Sequence, residues 1–175
     1  LFDMLLSSVV KLCRPKQWVK NLFVMLPLFF SGNVLDLRLL AFSFIAVASF
    51  CLVSSAIYCL NDCIDADSDR LHPVKRRRPV ASGEVGKTTC VFMVIVLFAA
   101  SIGLLGILPR VQFWSSSIII AVYFMLNIAY CLKLKRIALV DVIVVSVGFV
   151  LRVALGGTST GIAISHWIIL MTFLL

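Results

Sequence analysis

The window Tyr58-Cys59-Leu60-Asn61-Asp62-Cys63-Ile64-Asp65-Ala66-Asp67-Ser68-Asp69-Arg70 holds four carboxylates and a carboxamide between Asn61 and Asp69. A helix advances about 100° per residue, so Asn61, Asp62, Asp65 and Asp69 fall within about 100° of arc. Tyr58 and Ser54 lie on the same face, one and two turns earlier, and Asp67 points elsewhere. Like charges three and four residues apart repel on a helix, and acids at a helix C-terminus oppose its dipole. A bound divalent cation removes both penalties. Ligands that are all oxygen favour Mg²⁺ over Zn²⁺. Mg²⁺ takes one or two carboxylates and completes its shell with water and phosphate oxygens. His72, Lys75, Arg76, Arg77 and Arg78 follow directly, and acids for a metal beside bases for a phosphate describe a metal–diphosphate site. The spacing also fits a solvated helix end whose acids pair with neighbouring arginines.

These residues sit in an apolar chain. Of 175 residues, 62% are hydrophobic and 14% charged, with a mean hydropathy of +1.11. A soluble domain is nearer 45–50% apolar and about 25% charged. A membrane helix needs about 20 mainly apolar residues. Candidate spans cover 18–33, 39–60, 88–108, 113–132, 138–157 and 164 onward, the first kinked by Pro27. The expectation is an all-α, polytopic transmembrane bundle forming a single domain over 1–175. Leu1 and Leu175 look like cut ends, so the domain is expected to be incomplete at its C-terminus.

With the N-terminus inside, the inner segments carry Lys11, Arg14, Lys16 and Lys20, then Arg70, Lys75, Arg76, Arg77, Arg78 and Lys87, then Lys133, Lys135 and Arg136. The outer loops carry only Arg38 and Arg110. This asymmetry orients the bundle with its basic loops in the cytoplasm. It also accounts for the net charge of +8 without nucleic acid as a partner. The one long connection, 61–87, is then cytoplasmic and holds most of the acids. No secretory signal peptide is evident, because the basic stretch follows Leu5–Val10 instead of preceding it.

Polar residues inside membrane helices are rare and mark function. Tyr123, Asn127 and Tyr130 share one face of the fourth span. Asp141, Gly148 and Arg152 share one face of the fifth. Both faces are expected to line a cavity, with an interhelical hydrogen bond the alternative for Asn127 and snorkelling the alternative for Arg152. The six cysteines form no CxxC pair, and no second pair or histidine completes a zinc set around Cys59 and Cys63. Ala81-Ser82-Gly83-Glu84-Val85-Gly86-Lys87-Thr88 fits a relaxed P-loop pattern. It follows a basic loop instead of a buried strand, so nucleotide hydrolysis is not expected.

Asn61, Asp62, Asp65 and Asp69 match position by position the first aspartate-rich motif, N-D-x-x-D-x-x-x-D, of the UbiA superfamily of membrane prenyltransferases. His72-Pro73-Val74-Lys75-Arg76-Arg77-Arg78-Pro79-Val80-Ala81-Ser82-Gly83 resembles the family's continuation. The resemblance implies a nine-helix fold around a central cavity, of which this chain supplies about the first five helices and part of the sixth. Within the superfamily the chain looks most like the branch that moves phosphoribose from phosphoribosyl pyrophosphate to decaprenyl phosphate in cell-wall polysaccharide synthesis. Arg14-Pro15-Lys16-Gln17-Trp18-Val19-Lys20-Asn21, Asp69-Arg70-Leu71-His72-Pro73 and the run from Asp141 to Arg152 carry that likeness.

The resemblance implies Mg²⁺ on Asp62, Asp65 and Asp69, which are also the expected catalytic residues, with Asn61 orienting the cluster. It implies Lys75 and Arg78 on donor phosphate, and Arg14 and Lys20 on the lipid phosphate, unless those two only anchor the interface beside Trp18. Tyr58, Asn127, Tyr130 and Lys135 complete the expected substrate contacts. Leu134 stands where aromatic prenyltransferases carry the lysine of Y-x-x-x-K, so Lys135 is preferred to Lys133. The expected partners are a lipid-phosphate acceptor, a phosphorylated soluble donor and membrane lipids, with a homo-oligomer left open. The implied location is the bacterial plasma membrane, with the site facing the cytoplasm. Two other readings share parts of this pattern. An aromatic prenyltransferase uses the same first motif, and a transporter or scaffold would leave the acidic strip unexplained.

Overall fold

A computed structural model describes residues 2–174, with the side chains of 8–174 except 136 and 138. Every regular element among them is helical. Helix α1 (Phe2–Cys13) leads into a 3₁₀ segment (Pro15–Met25) and then α2 (Leu26–Phe30). Helix α3 (Leu37–Ile64) is followed by the short α4 (Ala66–Leu71), then α5 (Lys87–Leu105), α6 (Arg110–Leu132), α7 (Ala138–Thr160) and α8 (His166–Leu174).

Four helices are long and apolar enough to cross a membrane: Leu37–Ile64, Lys87–Leu105, Arg110–Leu132 and Leu139–Thr160. They correspond to four of the six expected spans. The expected span 18–33 is not a kinked α-helix. Arg14, at φ 48 and ψ 61, breaks the chain in the left-handed region, and the segment then winds as 3₁₀ until Leu26. Eleven residues at about 2.0 Å and five at about 1.5 Å still cover roughly 30 Å, the thickness of a bilayer's hydrocarbon core. The tighter winding therefore stretches a short segment to membrane length. The expected span from 164 onward is helical over His166–Leu174.

Helix α3 organises the bundle, packing against α1, the 3₁₀ segment, α5, α6 and α7. Its start is fixed by Asp36, whose Oδ1 accepts from the amides of Arg38 (2.9 Å) and Leu39 (3.2 Å), which would otherwise be unpaired. Small residues let α5 approach closely. Ser49 Oγ donates to the carbonyl of Ser101 and Ser101 Oγ to that of Ser49, both at 2.9 Å. Such reciprocal serine bonds suit an environment without competing water. The core joins Phe50, Val53, Leu105, Ile120, Tyr123 and Leu155.

The 3₁₀ segment lies against α3 and α7. Three residues per turn set every third side chain in line. Trp18 Nε1 reaches Ser55 Oγ at 3.0 Å. Asn21 Nδ2 reaches Ser54 Oγ at 3.1 Å and Cys51 Sγ at 3.2 Å. Val24 and Pro27 continue the file into the interior. Opposite Val24 stands Gly156 of α7, where an added Cβ would lie 1.8 Å from the Val24 carbonyl oxygen. The two backbones touch, and only glycine fits.

Candidate functional site: a charged rim over a polar pocket

The acidic face does not continue on one unbroken helix. Helix α3 stops at Ile64, Asp65 caps it at φ −85 and ψ −1, and the chain restarts as α4. The phase is nearly kept, because the amide of Asp69 bonds the carbonyl of Asp65 at 2.8 Å. Asp62 and Asp69 are buried, each about 3% exposed, and they converge on one cation. Arg78 Nη1 lies 3.2 Å from Asp62 Oδ1 and 2.7 Å from Asp69 Oδ2. Arg14 Nη2 adds a second contact to Asp62 Oδ1 at 2.6 Å, with its guanidinium 5.0 Å from the centre of the Tyr58 ring.

Asp65 departs from the expected three-carboxylate strip. It pairs with Lys135 Nζ, in the connection between α6 and α7. Among the described residues, no three Cys, His, Asp or Glu side chains come together as a ligand set. Each acid of the rim pairs with a base, though Asp62 and Asp69 are buried and not at the solvated helix end of the alternative reading. Two carboxylates sharing a cation still satisfy what Mg²⁺ asks of a protein. The Arg78 guanidinium lies between Asp62 and Asp69, the two buried acids of the expected metal set. Asp65 would join only by leaving Lys135.

Asp67 points away, as helical phase requires. Its exposed carboxylate pairs with Lys87 at 2.9 Å and Arg70 at 3.5 Å. The Lys87 ammonium holds that carboxyl below the usual carboxylate range. Lys87, the lysine of the P-loop-like stretch, is thus engaged by a carboxylate. His72 Nδ1 accepts from the amides of Val74 (3.2 Å) and Lys75 (3.3 Å) and shapes the loop. Lys75 is exposed beside it. Asn61 Oδ1 accepts from Cys131 Sγ at 3.5 Å, joining α3 to α6.

Next to the rim lies a pocket of about 160 Å³, lined by Lys20, Tyr58, Tyr123, Asn127, Tyr130 and Arg152 on its polar side. Tyr123, Asn127 and Tyr130 of the expected α6 face meet Gly148 and Arg152 of the expected α7 face here, with Val144, Val145 and Phe149 completing the wall; Asp141 of that face is not among the lining residues. Tyr130, a lining residue, donates to Asp141. Asn127 Nδ2 donates to the Tyr123 carbonyl of its own helix at 2.8 Å, and among the described residues it makes no interhelical hydrogen bond. Arg152 does not snorkel. It is 8% exposed, with Nε 3.0 Å from Asn21 Oδ1 and Nη1 2.8 Å from the Gly148 carbonyl.

The sequence reading missed Asn21 and Gly156. Asn21 was quoted only as part of a basic signature, yet it is 1% exposed and ties three elements together. A buried carboxamide in an apolar segment was the available signal. Arg14, expected at a lipid phosphate or as an interface anchor, places its guanidinium on Asp62.

A polytopic helical bundle with four helices long and apolar enough to cross a membrane, carrying an acid–base rim beside a polar pocket, is the architecture of an integral membrane protein. The chain belongs to the UbiA prenyltransferase family, whose model matches residues 22–175. It is 36% identical over 174 residues to the decaprenyl-phosphate phosphoribosyltransferase of Mycolicibacterium smegmatis, covering 95% of this chain and 52% of that protein. It is 37% identical over 169 residues to the protein of the same name from Corynebacterium glutamicum, covering 95% and 50%. The chain thus spans about half the length of these relatives. A UbiA homologue from Archaeoglobus fulgidus, solved with DMAPP and Mg²⁺, superposes with a TM-score of 0.72 at 18% identity, covering 95% of this chain and 59% of that one. That likeness is one of fold.

Proposed function

We propose that the protein is a Mg²⁺-dependent membrane transferase. It moves phosphoribose from phosphoribosyl pyrophosphate to a polyprenyl phosphate, decaprenyl phosphate in the closest chemical reading, in cell-wall polysaccharide precursor synthesis. The single observation that carries this is the pair Asp62 and Asp69 bridged by one cation next to a polar pocket. Curated relatives named for this activity support it. The basic loops favour a site on the cytoplasmic side of the bacterial plasma membrane, where soluble phosphorylated donors are found.

Asp62 and Asp69, joined by Asp65, would hold Mg²⁺, which supplies charge neutralisation for the departing pyrophosphate. Arg78 and Lys75 would contact donor phosphate. Asn61 orients the acids through its helix position. In the transfer, the bond from ribose C1 to the pyrophosphate oxygen breaks and the leaving group keeps the electron pair. A lipid-phosphate oxygen forms the new bond to C1. That oxygen is already ionised, so Tyr58 and Tyr130 need only orient substrate and exclude water.

The test is the full chain in membranes with two substrate pairs. Phosphoribosyl pyrophosphate with decaprenyl phosphate is expected to give product with Mg²⁺ and none with excess chelator. Product only from prenyl diphosphate with 4-hydroxybenzoate would replace this reading with aromatic prenyl transfer. Turnover of neither pair would favour a transporter or scaffold.

A further inference from the structure

Four of the six cysteines stand in a row beside the rim. Cys13 ends α1, Cys59 and Cys63 lie in the final turns of α3, and Cys90 lies in the first turn of α5. Cys59 is at the centre. Its side chain contacts those of Cys13 and Cys90, and Cys90 contacts Cys63 as well. All four are free thiols. Among the described residues the row makes no metal ligand set, so its chemistry is that of thiols with thiols.

The end of α1 is held firmly on α3. Leu12 is fully buried in one cluster with Ala56, Cys59 and Cys90. Ser55 Oγ donates to the Cys13 carbonyl at 3.0 Å. Ser55 and Cys59 are one turn apart on one face of α3, so the bond that fixes the Cys13 backbone leaves its side chain next to the Cys59 thiol. Cys90 is engaged differently, its thiol donating to the Cys59 carbonyl at 3.1 Å. The hydrogen bond from Cys59 brings the Cys13 thiol down to about 7, against the opposing effect of burial. A large share of Cys13 is then thiolate near neutral pH, and the thiolate is the nucleophile.

We propose that Cys13 and Cys59 are a peroxide-responsive pair that closes to a disulfide between α1 and α3. Hydrogen peroxide is small and neutral, and it reaches a thiol packed between helices. The Cys13 sulfur attacks one peroxide oxygen. The O–O bond breaks, and the other oxygen leaves as hydroxide and takes up a proton to become water. Cys13 is then a sulfenic acid. The Cys59 sulfur gives up its proton and displaces the sulfenic oxygen. The S–S bond forms, the S–O bond breaks and a second water leaves. Two thiols lose two electrons in all, and one peroxide is reduced to two waters. A thiol reductant reverses the change.

The disulfide acts on the rim. Arg14 follows Cys13 and reaches Asp62 at 2.6 Å. Asp62 is three residues beyond Cys59 on the same face of α3. The cross-link therefore ties α1 to α3 directly beside this ion pair and holds the guanidinium on the acid. An effect on turnover rests on the proposed function; the disulfide itself does not.

The test uses the full chain purified in detergent, reduced, then treated with hydrogen peroxide and alkylated before peptide mapping by mass spectrometry. A peptide linked through Cys13 and Cys59 is expected, and dithiothreitol is expected to remove it. Cys59→Ala is expected to stop at the Cys13 sulfenic acid, which dimedone labels. Cys13→Ser is expected to form no link to α1. No linked peptide, or a link from Cys59 to Cys90 in its place, overturns the pair. Oxidation is expected to lower turnover about tenfold, within the range of coupling between distinct sites, in the wild type and not in Cys13→Ser. An equal loss in Cys13→Ser, or no loss in fully linked wild type, overturns the action on the rim. A chain that forms the link but transfers no phosphoribose when reduced overturns only the proposed function.

Discussion

The two polar regions handle charge in opposite ways. At the rim, Asp62, Asp65 and Asp69 are neutralised by Arg14, Arg78 and Lys135. In the pocket, Arg152 is held by a carboxamide, a carbonyl, a phenol and three aromatic rings. Ion pairs can be exchanged for other ions, so each charge of the rim can change its partner. Dipoles and rings stabilise a cation without cancelling it, so the pocket keeps a positive field available. The difference separates a place where charges trade partners from one where a charge waits for a partner.

The largest effect that would break this contrast comes from the rim. Asp62→Asn and Asp69→Asn are each expected to lower turnover at least about 10²-fold, the scale of losing one electrostatic stabiliser in a water-poor site. Asp65→Asn is expected to fall with them, Lys135 being only its resting partner. Turnover assays across a Mg²⁺ titration measure this, and wild-type rates in all three would reduce the rim to a set of structural ion pairs.

Next comes the wall that carries both Lys20 and Asn21. Gly156→Ala drives a methyl against the Val24 carbonyl. It is expected to cost near the upper end of the about 1–3 kcal/mol typical of overpacking. Thermal unfolding in detergent reads it, and an unshifted midpoint would mean that the two backbones separate easily. Asn21→Leu is expected to cost about 1–3 kcal/mol by stranding buried partners. It should raise the KM for lipid phosphate more than it lowers kcat, without moving the Mg²⁺ requirement. A changed Mg²⁺ dependence would instead join the pocket to the rim.

The smallest effect belongs to Asp67 and Lys87. Their pair holds the Asp67 carboxyl below its ordinary value of 3.8. Its contribution is therefore complete above that value and is lost as pH falls through the lowered one. Both side chains are exposed, so salt screens the pair. Asp67→Asn is expected to leave turnover unchanged and to remove a slight difference in acid unfolding between low and high salt.

Much of this was legible in the chain. Hydropathy located the four long helices, and a 100° step separated Asp67 from the other acids even though the helix breaks at Asp65. Helical phase also found the cavity faces of α6 and α7. Three things were not legible, each because it depends on partners far away in sequence. Arg78 bridges Asp62 and Asp69 through a loop whose path no periodicity specifies. Asp65 turns to Lys135 across seventy residues. The 3₁₀ winding of 15–25 depends on Gly156 allowing backbone contact, since the segment's own residues permit an α-helix as well.

That winding makes the segment a screw thread with three residues per turn. Trp18, Asn21 and Val24 are its single crest, seated against α3 and α7. Rewound as an α-helix, the thread would shorten by roughly 5 Å and turn each successive crest residue by about 60°. Asn21 could not then stay under Arg152 while Trp18 kept Ser55. The spacing between Lys20 and Arg152 is thus set by the pitch of one short piece of backbone, and a change of pitch would open or close that gap without moving any of the four long helices.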